Sequence, residues 1–147
     1  MKVDFFDLGV IPEADVTFVV MVARCQDRWI MVRHRERTTW EIPGGHREPL
    51  ESLDQAARRE LYEETGAVEF SITPVCGYGV TRGTEQSFGQ LYLADVTQIG
   101  LLPPTEIAEI KRVAELPADC DLTYPLIQPL LNQRVLQYLW EKEKTKG

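Results

Sequence analysis

A chain of 147 residues with 44% hydrophobic and 27% charged content has the make-up of one globular domain, residues 1–147, with a single main core. Its formal net charge of −7 argues against binding through a dense Lys and Arg stripe, so nucleic acid is an unlikely partner, and a polyanionic substrate would need cations to neutralise it. Cys25, Cys76 and Cys120 are odd in number, far apart and without Cys-x-x-Cys spacing, which disfavours a disulfide framework or zinc site and fits a reducing cytoplasm.

Met1-Lys2 runs into Val3-Asp4-Phe5-Phe6-Asp7 with neither the basic start nor the small-residue cleavage site of a signal peptide, and none is expected. The apolar run 16–23 is far short of the roughly 20 residues of a membrane-spanning helix. Rich in β-branched residues, it predicts a buried strand and no membrane association. A turn at Gln26-Asp27 leads to a second strand over 28–35, making a hairpin. Trp40-Glu41-Ile42-Pro43 reads as a short extended piece that stops at Gly44-Gly45. A helix is expected over Leu53–Thr65, with Ser52 and Gln55 spaced as a capping box and Gly66 as the stop. Residues 70–81 and 88–96 read as strands joined by a loop over 82–87. Pro103-Pro104 interrupts the chain before a strand over 106–116. A last helix is expected from Pro125 to Trp140, carrying Leu126, Leu130, Leu136 and Leu139, with 141–147 a fraying charged tail. The pattern predicts an α/β fold, a mixed sheet with helices packed on it.

On a helical wheel at about 100° per residue, Glu60, Glu63 and Glu64 share one arc with Leu53 and Ala56. Like charges three and four apart repel, so a helix that keeps them on its apolar stripe needs something to offset the cost. A hard divalent cation does so, and Mg²⁺ binds through a few carboxylates while keeping positions for waters and substrate phosphates. Taken alone, the same residues also fit a solvated face paired with Arg58 and Arg59.

The surrounding residues favour the cation. From Gly45, five residues lead to Glu51, seven more to Arg59, and Arg59-Glu60-Leu61-Tyr62-Glu63-Glu64-Thr65-Gly66-Ala67 closes the segment. This resembles the Nudix box, Gly-x5-Glu-x7-Arg-Glu-U-x-Glu-Glu-x-Gly-U with U a bulky aliphatic, the signature of the Nudix hydrolases. Every fixed position matches over 45–67, and the one departure is Ala67 at the final aliphatic position. The resemblance implies an α/β/α sandwich, hydrolysis of a phosphoanhydride bond, and Mg²⁺ (or Mn²⁺) held by Glu60, Glu63 and Glu64 with a loop carbonyl from Gly44 or Gly45. It also implies a structural ion pair between Glu51 and Arg59, and a further carboxylate from the strand after the Pro-Pro break. Glu109 is preferred there over Glu106, although both also read as ordinary surface residues. Glu60 or a Glu outside the box is the expected general base.

The expected partner is a small nucleotide, bound by a monomer or homodimer. The Pro and Tyr that mark the family's ADP-ribose and diadenosine polyphosphate branches are absent near Thr81-Arg82-Gly83-Thr84. Trp40-Glu41-Ile42-Pro43-Gly44-Gly45-His46 and the segment 88–96 are similar to the Bacillus-type 8-oxo-dGTP diphosphatases. Asp119 and Asp121 resemble a segment that reads a purine edge in oxidised-purine triphosphatases, with helix capping as the alternative. Arg33 could meet phosphates, and Phe88, Trp40 and Tyr78 could stack on a base or simply be buried. His34 has no second His or Cys to join it on a metal. Other Nudix substrates, including RNA 5′ ends, stay open. A non-catalytic ligand-sensing module would be expected to have lost box carboxylates, and none is lost.

Overall fold

A computed structural model describes residues 1–146, in the order β1 (Lys2–Phe6), β2 (Val16–Cys25), β3 (Arg28–His34), β4 (Gly44–His46), α1 (Leu53–Thr65), β5 (Ala67–Arg82), β6 (Glu85–Ile99), β7 (Ile107–Val113) and α2 (Gln128–Lys146). The strands form one mixed sheet, ordered β1-β5-β6-β2-β3-β7, with β4 pairing separately to β2. Only β2 and β6 run parallel among these pairs. The uninterrupted apolar run of β2 suits a central strand covered on both faces. Val19, Met21 and Ala23 pack with Leu53, Ala56, Ala57 and Leu61 of α1. Val20 and Val22 point the other way, into the cluster that holds Leu131 and Val135 of α2. The result is the expected α/β/α sandwich.

The hairpin between β2 and β3 turns at Gln26 and Asp27, whose φ angles of 52° and 65° are those a tight two-residue hairpin needs. Beyond the pairs Arg24 with Trp29 and Cys25 with Arg28, the two strands part. The segment 40–46 fills the wedge. Glu41 exchanges backbone hydrogen bonds with Val32 (2.8 and 2.9 Å), the Met21 N–H donates to the Pro43 carbonyl (2.9 Å), and β4 pairs Gly44, Gly45 and His46 with Val20, Val19 and Phe18. This splayed region, facing the end of α1, is where the site forms.

Several sequence expectations change. β1 was not anticipated: it is a five-residue strand of mixed polarity at the sheet edge, paired with β5. Gly44-Gly45 continues as β4 rather than stopping the chain. β5 and β6 run longer than expected and reduce the loop 82–87 to a tip at Gly83, with Arg82 opposite Glu85; the exposed tip tolerates the polar residues that read as loop. β7 is shorter than 106–116. α2 begins at Gln128, because 124–127 make a turn in which the Ile127 and Gln128 N–H groups donate to the Tyr124 carbonyl. It buries Leu131 and Val135 and leaves Leu130 and Leu136 exposed, as is Leu126 in the turn before it. The tail expected to fray is helical to Lys146, supported by good helix formers and by Lys142 and Lys144 lying over Tyr138 and Trp140 one turn back; residue 147 lies outside the described residues. Among those residues no helix is long and apolar enough to cross a membrane, and Cys25, Cys76 and Cys120 are all free.

Candidate active site

α1 is fixed at both ends. Ser52 Oγ accepts from the Gln55 N–H (3.1 Å) and Gln55 Oε1 accepts from the Ser52 N–H (2.9 Å), while Gly66 takes the left-handed conformation (φ 76°) and its N–H donates to the Tyr62 carbonyl (2.8 Å). Arg59 then ties the helix to the preceding loop. Its Nε and Nη2 grip Glu51 at 2.7 and 2.9 Å, Nη2 also donates to the His46 carbonyl (3.0 Å), and Nη1 reaches Glu60 (2.8 Å) and Glu63 (3.2 Å). The two-pronged contact holds the Glu51 carboxyl down at about 2. The structural ion pair implied by the box is therefore formed. Gly45 lies so close to α1 that an added Cβ would collide with the Glu60 carboxylate.

Glu64 is 6% exposed, and its Oε1 accepts from the Gly44 N–H at 2.9 Å. Burial, reinforced by the charges of Glu60, Glu41 and Glu106 and opposed by that N–H, pushes its carboxyl up to about 8. Burial raises Glu60 and Glu41 as well; Arg59 opposes the first shift, His34 and Arg37 the second. Glu41 accepts from Arg37 Nη1 (2.9 Å), and its Oε2 lies 3.0 Å from His34 Nε2, which is also 3.7 Å from Glu64 Oε2. The Thr105 hydroxyl donates to the Glu63 carbonyl (3.1 Å), anchoring the loop before β7 to the end of α1 and bringing Glu106 to the cluster. Glu41, Glu60, Glu64 and Glu106 all line a cleft of about 730 Å³, whose other walls include Val20, Tyr78, Val80, Ile127 and Leu131.

These carboxylates gather where burial disfavours their charged forms, and Glu41 Oε2 is buried without a hydrogen bond. Such a donor set fits a hard divalent cation. It is not a preformed cage: among the described residues no three His, Cys, Asp or Glu side chains converge at coordinating geometry. The reason is visible in the contacts, since Arg59 draws Glu60 and Glu63 while Glu64 bonds to the loop.

A NUDIX domain model matches residues 13–126, more than half of the chain. The chain belongs to the Nudix hydrolase family. It is 30% identical over 115 residues to a MutT-like protein of Streptomyces ambofaciens, covering 71% of this chain and 73% of that one. It is 33% identical over 81 residues to a Bacillus subtilis (strain 168) protein provisionally named 8-oxo-dGTP diphosphatase YtkD; that match covers 55% of this chain and spans about half, 51%, of the relative's length. In fold it is similar to the Bacillus subtilis pyrophosphohydrolase BsRppH, with a TM-score of 0.80 and 24% identity over 94% of this chain and 92% of that one.

In this Nudix chain the remaining expected residues separate into two groups. Tyr78 lines the cleft, as do Gly44, Glu60 and Glu64. Glu109 does not: it is opposite Arg33 on β3, and Arg33 Nε and Nη2 hold its Oε1 at 3.0 and 2.7 Å, so of the two carboxylates after the Pro-Pro break it is Glu106 that lines the cleft, while Arg33 and Glu109 pair with each other. Phe88 packs edge-on against Phe6 (6.2 Å between centroids), and Trp40 is covered by the Lys111 ammonium (4.1 Å). Asp119 and Asp121 are exposed in a short 3-10 turn, line no part of the cleft, and make no side-chain cap. The turn's contact with the site region is the Asp121 carbonyl, which accepts from the Trp40 N–H at 2.7 Å. Glu41, Arg37 and Gln128, all cleft-lining, escaped the sequence reading, and His34 was set aside. The available signals were a Glu inside the apolar stretch 40–43 and a Gln on the buried face of α2.

Proposed function

We propose that this Nudix chain is a divalent-cation-dependent pyrophosphohydrolase of nucleoside triphosphates in the cytoplasm, with an oxidised purine deoxynucleotide such as 8-oxo-dGTP as its leading substrate. The observation that carries this reading is the meeting of buried Glu64 with Glu41, Glu60 and Glu106 in a cleft that is also lined by Val20, Tyr78, Val80, Ile127 and Leu131. The name of the Bacillus subtilis relative supports the choice of substrate.

Glu60, Glu63, Glu64 and the Gly44 carbonyl would hold Mg²⁺, or Mn²⁺ in its place, with Glu106 as the further carboxylate instead of Glu109. When bound, the cation neutralises phosphate oxygens and makes a water acidic enough to attack phosphorus in line. Arg59 keeps α1 and the loop in register so that Gly44 and the helix carboxylates stay opposed. Glu60 or Glu41 takes the proton of the attacking water; Glu41 Oε2 accepts no hydrogen bond and lies 3.0 Å from His34 Nε2. Arg37, Arg47 and Arg82 line the cleft and orient an anionic substrate. Tyr78, Val80, Ile127 and Leu131 exclude water from the base.

The test is a panel of 8-oxo-dGTP, the ordinary dNTPs, ADP-ribose, a dinucleoside polyphosphate and triphosphorylated RNA, each with Mg²⁺, Mn²⁺ or chelator. The expected result is cation-dependent release of pyrophosphate, with the highest kcat/KM for 8-oxo-dGTP. A higher value for ADP-ribose, dinucleoside or RNA substrates would replace the substrate assignment, and full turnover in chelator would overturn the mechanism.

A further inference from the structure

Arg33 lines no part of the cleft, yet its side chain makes four hydrogen bonds. Two of them, from Nε and Nη2, fix it to Glu109 on β7. The other two leave from Nη1 and end on backbone carbonyls, those of His34 (3.3 Å) and Arg37 (2.9 Å). These carbonyls belong to the two ends of a tight turn, which the Arg37 N–H closes on the His34 oxygen at 3.0 Å. The same two residues flank the Glu41 carboxylate: Arg37 Nη1 is 2.9 Å from Oε1, and His34 Nε2 is 3.0 Å from Oε2. One guanidinium outside the cleft therefore holds the backbone on which both neighbours of a cleft carboxylate stand. The Glu41 backbone is already paired with Val32 in both directions, so what remains to be set is its side chain. Stability is a weak reason for this arrangement, because Glu109 is 57% exposed and ion pairs in water contribute little.

Resting on the hydrolase reading above, with Glu41 as the carboxylate that takes the water's proton, we infer that Arg33 is a positioning residue that acts on the reaction through Glu41. It clamps the turn 34–37, and the turn sets where His34 and Arg37 stand about the two Glu41 oxygens. The chemistry of the side chain suits the task. A guanidinium presents five N–H groups in a rigid fork, so one residue can grip a carboxylate with one edge and two carbonyls with another nitrogen. Glu109 supplies the fixed end, since β7 pairs with β3 at this position. Without the clamp the turn keeps only its own N–H closure, and Arg37, whose side chain is 43% exposed, gains freedom to leave Glu41 for solvent. Displacements of about 1 Å in a reacting group cost up to roughly a hundredfold in rate, which is the leverage a residue away from the cleft can have.

The experiment is a double-mutant cycle on 8-oxo-dGTP turnover with Mg²⁺, using wild type, Arg33→Met, Glu41→Gln and the variant that carries both changes, with Arg33→Lys beside them. Arg33→Met is expected to lower kcat/KM about ten- to a hundredfold. Its melting temperature should fall by no more than about 4 °C, because an exposed ion pair contributes little to folding. In the Glu41→Gln background the same substitution should cost at most about twofold, since no carboxylate is left to position. Arg33→Lys keeps the charge opposite Glu109 but lacks the fork that reaches both carbonyls, and should fall nearly as far as Arg33→Met. Independently of turnover, the Arg37 guanidinium N–H signal in NMR spectra, assigned with Arg37→Lys, should shift or broaden in Arg33→Met. An equal loss in both backgrounds, full rescue by lysine, or wild-type turnover in Arg33→Met or Glu41→Gln would overturn the role while leaving the hydrolase reading in place. If wild type cleaved no nucleoside triphosphate, the hydrolase reading would fall instead, and an unmoved Arg37 signal would separately overturn the clamp.

Discussion

Cation-free protein should lose stability as the pH rises from about 5 to about 9, with Glu64 setting much of the loss. The Glu64 carboxyl stands at about 8 instead of 4.5 because burial disfavours its charged form. Between those values the folded chain keeps a proton that the unfolded chain gives up. The stability contributed by this group is complete below the unfolded value and disappears as the pH climbs through the folded one. At about 1.4 kcal/mol for each tenfold change in proton affinity, the loss is on the order of 4 kcal/mol, a large part of the roughly 5–15 kcal/mol that holds a domain folded. Glu41 and Glu60, also raised by burial, act in the same direction. Glu51 acts oppositely: Arg59 holds it at about 2, so its contribution is present above 4.5 and is lost as the pH falls toward 2. Urea unfolding in chelator across this range, for wild type and Glu64→Gln, measures the effect. Wild type should weaken relative to the variant as the pH rises, because only wild type must bury a charge there. A difference between the two that stays constant across the range would refute the reasoning.

Three further outcomes follow from the geometry. Arg59→Ala strips Glu51, Glu60 and Glu63 of their shared cation, so differential scanning calorimetry should show a melting temperature lower by roughly 5–10 °C; lost turnover with unchanged melting would instead point to direct contact with substrate. Glu106→Gln should reduce kcat at least tenfold more than Glu109→Gln, since Glu106 lines the cleft and Glu109 pairs with Arg33; equal effects in steady-state kinetics would contradict that division. Gly45→Ala should displace the Glu60 carboxylate and raise the Mg²⁺ concentration needed for half-maximal turnover, and an unaltered Mg²⁺ requirement would show that Glu60 tolerates the move.

What was legible in the sequence is what depends on local spacing. The bounds of α1, its capping box and its Gly66 stop agree residue for residue, because caps and periodicity are written within a few positions. The tight hairpin after β2 follows for the same reason, whereas the Glu51–Arg59 pair was implied by the resemblance to the Nudix box. Pairing decided by distant partners was not legible. β4 exists because β2 and β3 part, which neither segment states by itself. Which of Glu106 and Glu109 faces the cleft was not legible either, because it depends on the register of β7 against β3, which shifts between Arg33 and His34. Gln128 was hidden because the sequence predicts α2 from Pro125 with Leu126, Leu130, Leu136 and Leu139 as its apolar residues, whereas the face it buries carries Leu131 and Val135.

The most direct test of the central claim is a Mn²⁺ titration of wild type, Glu63→Gln and Glu64→Gln by electron paramagnetic resonance, followed by turnover of 8-oxo-dGTP on the same samples. Each substitution removes a charged ligand and preserves shape, so both variants should stay folded, bind Mn²⁺ at least tenfold more weakly, and lose activity by orders of magnitude. Folded Glu64→Gln protein that bound Mn²⁺ as tightly as wild type and turned over within a few-fold of it at saturating cation would contradict the claim.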